Sequence, residues 1–278
     1  MDVPIELRGA FKPRDEDANK YTVGTVLVVG GSQCYPHAPV IAALGARVAG
    51  AGLVKLVVPD SSRMCVGALV PEATYAGIGA GCLLPRADVV VAGMGLGSGP
   101  EAETLVGGLL AGPAGKLVFD ADALGILARL QAKQCFCGHM EGRRIVLTPH
   151  EGEAAKLLGL SRDEVVADRR AAVRELARRY KATAVLKGRR TLVCSHDCSG
   201  IYENATGNPC MALGGMGDLL AGMIGARWAY LGGDAFTAAA GAVWLHGFAS
   251  DALLEDGMDP SIVNTAAKAG ALRTKLDL

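Results

Sequence analysis

Residues 204–222, NATGNPCMALGGMGDLLAG, hold the residue types that phosphoryl chemistry needs. Gly214, Gly215 and Gly217 leave the backbone bare enough for a phosphate to approach, and the N–H groups opening a helix after Asp218 would turn their positive dipole end towards it. Asp218 is the one acid in the turn. A carboxylate beside a bound phosphate is repelled unless it touches Mg²⁺ or takes the proton of an attacking hydroxyl, so its presence points to chemistry. The alternative is an N-cap Asp behind a flexible loop.

Three further turns gather polar side chains. In Asp120-Ala121-Asp122 the i, i+2 spacing sends both carboxylates to one side of an extended segment, where they could flank Mg²⁺ or a sugar hydroxyl; in the alternative reading Asp122 caps the next helix. Thr148-Pro149-His150-Glu151-Gly152-Glu153 sets an imidazole and two acids in one turn, a binding pattern if it closes a strand. Lys187-Gly188-Arg189-Arg190-Thr191 carries three cations in four positions, suited to a nucleotide's phosphates or adenine edge, or simply a basic hairpin. Gly93-Met94-Gly95-Leu96-Gly97-Ser98-Gly99 imitates a dinucleotide fingerprint but fails it: read from Gly93 the last glycine becomes Ser98, and read from Gly95 it becomes Pro100. No Gly-Lys-Ser or Gly-Lys-Thr occurs, which excludes a Walker A loop.

These turns need strands to end on. Thr25 to Val29 reads as a strand buried on both faces and Leu53 to Val58 as the next strand, joined by a helix over Ala38 to Ala51 whose small residues (Ala42, Ala43, Gly45, Ala46) allow close approach to a sheet. Further strands are expected at Asp88 to Ala92, Lys116 to Asp120, Arg144 to Leu147, Thr183 to Leu186 and Thr191 to Cys194. Their alternation with helix-length segments implies an α/β fold, doubly wound around a mostly parallel sheet. Ser161-Arg162-Asp163-Glu164 is a capping box, opening one surface helix to Tyr180 with Val165, Val166, Ala172, Val173 and Leu176 on its apolar side. Asp259-Pro260 reads as the start of a last helix over Ser261 to Arg273. No linker or repeat divides residues 1–278, so one domain is expected.

Composition excludes several function classes. Lys plus Arg and Asp plus Glu both number 28, giving no long-range pull on nucleic acid or anionic membrane. The N-terminal MDVPIELRGAFKPRDED lacks the apolar core of a signal peptide, so a cytoplasmic protein is expected. The longest charge-free apolar run lies between Asp234 and Asp251 and contains Thr237, His246 and Ser250, which suits a buried helix rather than a membrane span. Eight cysteines include Cys135-Phe-Cys137-Gly-His139 and Cys194-Ser-His196-Asp-Cys198, but neither has paired C-x-x-C spacing, and reduced thiols are the default.

In order and spacing, VLVVGGS (26–32), GAGLVKLVVP (50–59), GMGLG (93–97), DADAL (120–124), TPHEGE (148–153), LKG (186–188) and GNPCMALGGMGDLLAG (207–222) resemble the ADP/ATP-dependent NAD(P)H-hydrate dehydratases of the ribokinase-like superfamily, from about Lys20 to Asp251. The resemblance implies dehydration of the S epimer of hydrated NAD(P)H at the expense of ADP or ATP, with Mg²⁺ bridging the phosphates. It implies that Asp218 abstracts the hydroxyl proton and that the amides of Gly215, Met216 and Gly217 hold the transferring phosphoryl. Ala38, Gly97, His150 and Asp218 match hydrate-binding positions; Lys187, Gly188, Arg189, Arg190, Thr191 and Gly217 match adenine nucleotide positions. A homo-oligomer is implied, and because the epimerase half often fused to the dehydratase is missing, so is a separate epimerase. His37, Met94, Met216 and Asn19-Lys20-Tyr21 depart from the usual pattern, as does the segment from Asp259 to Leu278. The same turn and Asp218 would also serve a small-molecule kinase on this scaffold, for a hydroxymethylpyrimidine, hydroxyethylthiazole or sugar; a nucleotide sensor without turnover is the third reading.

Overall fold

Runs of Val and Leu that are apolar on both faces are stable only between two layers of helix. The computed structural model describes residues 2–77, 84–112, 115–133 and 144–277. In it, β1 (Thr25–Val29), β2 (Leu53–Val58), β3 (Thr74–Gly77), β4 (Val89–Ala92), β5 (Lys116–Phe119), β6 (Arg144–Leu147), β7 (Thr183–Leu186), β8 (Leu192–Cys194) and β9 (Ile201–Glu203) form one sheet. Its order is β3-β2-β1-β4-β5-β6-β7-β8-β9. Neighbours from β3 across to β7 are parallel, with Val26 opposite Val89 and Val28 opposite Val91, while β8 and β9 add antiparallel.

The helices are α1 (Ala38–Val48), α2 (Arg63–Leu69), α3 (Pro100–Ala111), α4 (Asp122–Ala132), α5 (Glu151–Leu158), α6 (Arg162–Ala167), α7 (Arg169–Tyr180), α8 (Met216–Leu231), α9 (Ala235–Glu255) and α10 (Ile262–Leu276). Alternate strand residues divide between two cores. Val26, Val28, Val89 and Val91 pack with α1, α8 and α9, whereas Leu27, Val29, Val90 and Ala92 pack with α3, α4, α5 and α7. The small residues of α1, expected against the sheet, make their closest approach to α8. A Cβ on Gly45 would run into the Leu219 carbonyl, and one on Gly222 into that of Ala42. This contact fixes the first turns of α8 against α1. At the other end of α8, fully buried Arg227 pairs with Asp277 at 2.8 Å and donates to the Ala10 carbonyl.

Two helix expectations need correction. The surface helix from Ser161 breaks at Asp168, whose carboxylate accepts the Ala171 N–H at 2.9 Å and caps a second helix, α7. With the axis redirected there, Val166 is exposed while Val165, Ala172, Val173 and Leu176 stay buried. The last helix is capped by Ser261 rather than Asp259 and continues to Leu276. Among the described residues no helix is long and apolar enough to cross a membrane.

Candidate active site

The polar turns leave the C-terminal ends of parallel strands: 93–99 after β4, 120–122 after β5, 148–150 after β6 and 187–191 after β7. At this edge of an open α/β sheet, strand ends and helix starts converge on a shared crevice. Helix α8 delivers the glycine turn to the same place. Gly215 is the N-cap with φ +97°, and a Cβ there would meet Ile41 and Ile262, so only glycine makes the turn. The helix begins at Met216, two residues before Asp218, so Asp218 lies inside the first turn and does not cap it. Met216 N–H donates to the Leu213 carbonyl at 3.3 Å, whereas the N–H groups of Gly215, Gly217 and Asp218 have no intramolecular acceptor among the described residues. A Cβ on Gly217 would stand 3.3 Å from Lys187 Nζ and 3.9 Å from Asp120 Oδ2, so this amide edge, the lysine and the aspartate face one space.

Asp218 is half-buried and its carboxylate makes no hydrogen bond among the described residues. Burial pushes its pKa up to about 7; the negative charge of Asp120 adds to this, Lys187 opposes it, and Glu153 and Asp122 contribute further. Lys187 Nζ lies 2.5 Å from Asp120 Oδ1 and 3.8 Å from Glu153 Oε2. Burial alone would lower the lysine's pKa, but Asp120 and then Glu153 outweigh it and the net shift is upward, so the ammonium form is held. Asp120 is itself buried and accepts the Thr148 hydroxyl at 2.7 Å. This Thr148–Asp120–Lys187 chain was not legible as a unit in the sequence.

The two carboxylates of 120–122 do not act as a pair. Ala121 takes φ +49°, which breaks the extended geometry, and Asp122 turns to accept the Gly97 N–H at 2.8 Å. Neither caps α4, whose N-cap is Ala121 without a side-chain bond. His150 caps α5: its Nδ1 accepts from Gly152 and Glu153 N–H at 3.0 and 3.2 Å, while Glu153 Oε2 accepts the His150 N–H at 2.9 Å. Nε2, the nitrogen not used by the cap, lies 3.5 Å from Glu153 Oε1.

A cavity of about 730 Å³ opens beside these groups, lined by His150, residues 187–191, Met216 and Gly217, together with Asn204, Thr206 and His246. Its remaining wall comes from the segment that leads into α8, with Asn208, Met211 and Leu213, and from Leu220 of α8 and Val243 and Gly247 of α9. His246, visible in the sequence only as a polar interruption of an apolar run, is buried with no partner for Nε2 among the described residues; burial lowers its pKa to about 4 and keeps it neutral. The basic residues do not form a single cradle, because Arg190 turns to Glu203 at 3.2 Å and Lys187 to Asp120. Ala38 and Gly97 lie outside this cavity wall. Ala38 opens α1 beside Gly95, and Gly97 reaches the Asp218 neighbourhood through Asp122. Cys135, Cys137 and His139 fall outside the described residues; Cys194 is buried at the end of β8, and among the described residues no three His, Cys, Asp or Glu side chains gather as metal ligands.

Comparison with known proteins gives one consistent picture. A family model described as NAD(P)H-hydrate dehydratase matches residues 26–268. An ADP-dependent (S)-NAD(P)H-hydrate dehydratase of Neisseria meningitidis is 42% identical over 254 residues, covering 88% of this chain and 82% of that protein. A bifunctional NAD(P)H-hydrate repair enzyme of Gloeobacter violaceus is 40% identical over 86% of this chain, which spans only 47% of that relative's length. The crystal structure of a Bacillus subtilis ADP/ATP-dependent NAD(P)H-hydrate dehydratase, co-crystallised with ATP and Mg²⁺, superposes with a TM-score of 0.85 at 28% identity, covering 99% of both chains. The doubly wound α/β architecture is thus that of the ribokinase-like fold expected from the motifs. With the match running through every turn that lines the crevice, the chain belongs to the NAD(P)H-hydrate dehydratase family.

Proposed function

We propose that this protein is a lyase that uses ADP or ATP to dehydrate the S epimer of hydrated NAD(P)H, releasing AMP or ADP and phosphate and restoring the reduced nicotinamide. The observation that carries the reading is Asp218: a half-buried carboxylate without a hydrogen-bond partner among the described residues, pushed up to about 7, beside open helix-start amides and a buried ammonium. Such a group is poised to accept a proton near neutral pH. Asp218 takes the proton of the ring hydroxyl as its oxygen attacks the terminal phosphorus. The open amides of Gly215 and Gly217, joined by that of Met216 on release from the Leu213 carbonyl, with Lys187 facing them, hold the oxygens of the transferring group, while residues 187–191 hold the nucleotide in the cavity. Ala38, Gly97 and His150, through its Nε2, hold the hydrate. The C–O bond then breaks, phosphate leaves with the former hydroxyl oxygen, and loss of a proton from the adjacent ring carbon restores the dihydropyridine.

The residues fit Mg²⁺ carried by the nucleotide's phosphates rather than a caged ion. Asp120 and Asp122 are already engaged by Lys187, Thr148 and the Gly97 N–H, and Glu153 by the His150 N–H, which leaves Asp218 as the nearby carboxylate without a hydrogen bond among the described residues. When bound, Mg²⁺ neutralises phosphate charge. In the same reading residues 1–278 act as one ribokinase-like domain, in the cytoplasm, as a homo-oligomer paired in function with an NAD(P)H-hydrate epimerase. Incubating the protein with the S hydrate of NADH, Mg²⁺ and ADP or ATP tests the reaction. One phosphate released per reduced nicotinamide formed is expected; a stable phosphorylated alcohol would instead identify a kinase, and nucleotide binding without turnover a sensor.

A further inference from the structure

Arg169, the first residue of α7, makes an unusual set of bonds to the loop after β7. Its Nη2 donates to the carbonyls of Leu186 and Lys187 at 3.1 Å each, and its Nη1 to those of Arg189 and, at 3.4 Å, Arg190. The Gly188 carbonyl accepts the Thr191 hydroxyl at 3.0 Å. One guanidinium therefore collects four of the five consecutive carbonyls from 186 to 190. Arg169 is 19% exposed and lines an open groove shared with Arg189 and Arg190; it is absent from the wall of the 730 Å³ cavity, which those two residues also line. Arg169 thus grips the loop from the side away from the cavity.

A trans peptide is planar, so the C=O of one residue and the N–H of the next point in opposite directions. Drawing the carbonyls of Lys187, Arg189 and Arg190 to Arg169 turns the N–H groups of Gly188, Arg190 and Thr191 the other way, and all three residues line the cavity. Those of Gly188 and Arg190 have no backbone acceptor among the described residues. The conformation is not one the loop would choose alone, since Gly188 has φ +134° and Arg190 φ +55°. Glu151 adds a restraint at 3.6 Å from Arg169 Nε, and a Cβ on Gly188 would strike both side chains.

We propose that Arg169 is a positioning residue for the nucleotide. It holds loop 187–191 with its carbonyls turned outward, so that the loop presents a preformed row of N–H donors to an adenine nucleotide. This rests on the reading that the cavity takes that nucleotide. Lysine cannot replace the planar fork that reaches several carbonyls at once. Arg169→Lys should weaken ADP and ATP, measured by calorimetry without hydrate, at least tenfold, and raise the nucleotide KM similarly. The hydrate KM should stay within twofold. Hydrogen exchange on the unaltered protein, which needs no variant to fold, should show the amides of 188–191 protected when ADP is added. Nucleotide affinity within twofold of the parent in a less stable Arg169→Lys protein, or no ADP-dependent protection at 188–191 with ADP bound, would overturn the proposal and leave the nucleotide reading standing. A parent protein that binds neither ADP nor ATP would overturn both.

Discussion

Asp218 must be ionised to accept a proton, so its displaced pKa should be visible in the rate. With the pKa at about 7, the ionised fraction is ~0.9 at pH 8 and ~0.1 at pH 6, a loss of about tenfold. An ordinary carboxylate titrating near 4 would lose only about 1% over the same interval. The assay is kcat/KM between pH 5 and 9 with both substrates well below saturation, followed by the absorbance of reduced nicotinamide, because this constant reports the free enzyme. Asp120→Asn is the matching perturbation. It removes the neighbouring negative charge that ranks after burial among the causes of the shift, and it releases Lys187 from its 2.5 Å pair, so the acid limb should move down by on the order of one unit. A wild-type midpoint at or below pH 5, or a limb that Asp120→Asn leaves in place, would refute the reasoning.

Asp218→Asn should retain nucleotide binding and lower turnover by about 10² to 10⁴, the usual contribution of a general base; near-normal turnover would remove Asp218 from the chemistry. The same variant should gain stability. Because the folded pKa of about 7 lies above the unfolded 3.8, the folded protein prefers the protonated acid, and stability declines as pH rises through this window. At pH 8 the amide should therefore raise unfolding free energy by on the order of 2–4 kcal/mol, read by denaturant titration, and the gain should vanish near pH 4. His150→Ala should raise the hydrate KM with the nucleotide KM within twofold, and lose about 1 kcal/mol of stability with the α5 cap. A loss of nucleotide affinity with hydrate binding untouched would invert the assignment of the two subsites. Gly217→Ala sets a methyl 3.3 Å from Lys187 Nζ and should lower kcat at least tenfold with little change in melting temperature.

Where strands are dominated by buried Val, Leu and Ile, the sequence was sufficient. β2, β6 and β7 fall on the expected residues, and β1 likewise. β3 was not legible, because Thr74–Gly77 is a largely exposed edge strand without an apolar signature, and β9 (Ile201–Glu203) likewise sits at the other edge with only Tyr202 buried. The break between α6 and α7 was hidden for a different reason: Asp168 is compatible with a continuing helix until its side chain caps the next one. The glycine turn announced itself through composition, since Gly214, Gly215 and Gly217 bare the backbone around a single acid, Asp218, ahead of an apolar helix. The groups that set its electrostatics did not. Lys187 is 67 residues from Asp120, and Thr148 is 28, so only the parallel sheet brings them together. Asp122, readable as a cap or a metal ligand, is instead committed to the Gly97 amide.

The central claim is that phosphorylation of the ring hydroxyl turns it into a leaving group while Asp218 removes its proton. An oxygen-18 label placed in that hydroxyl of the S hydrate follows the bond that breaks. During turnover with ADP or ATP the label should be recovered in inorganic phosphate, one labelled atom per phosphate. Recovery of the label in water, with unlabelled phosphate released alongside reduced nicotinamide, would contradict it.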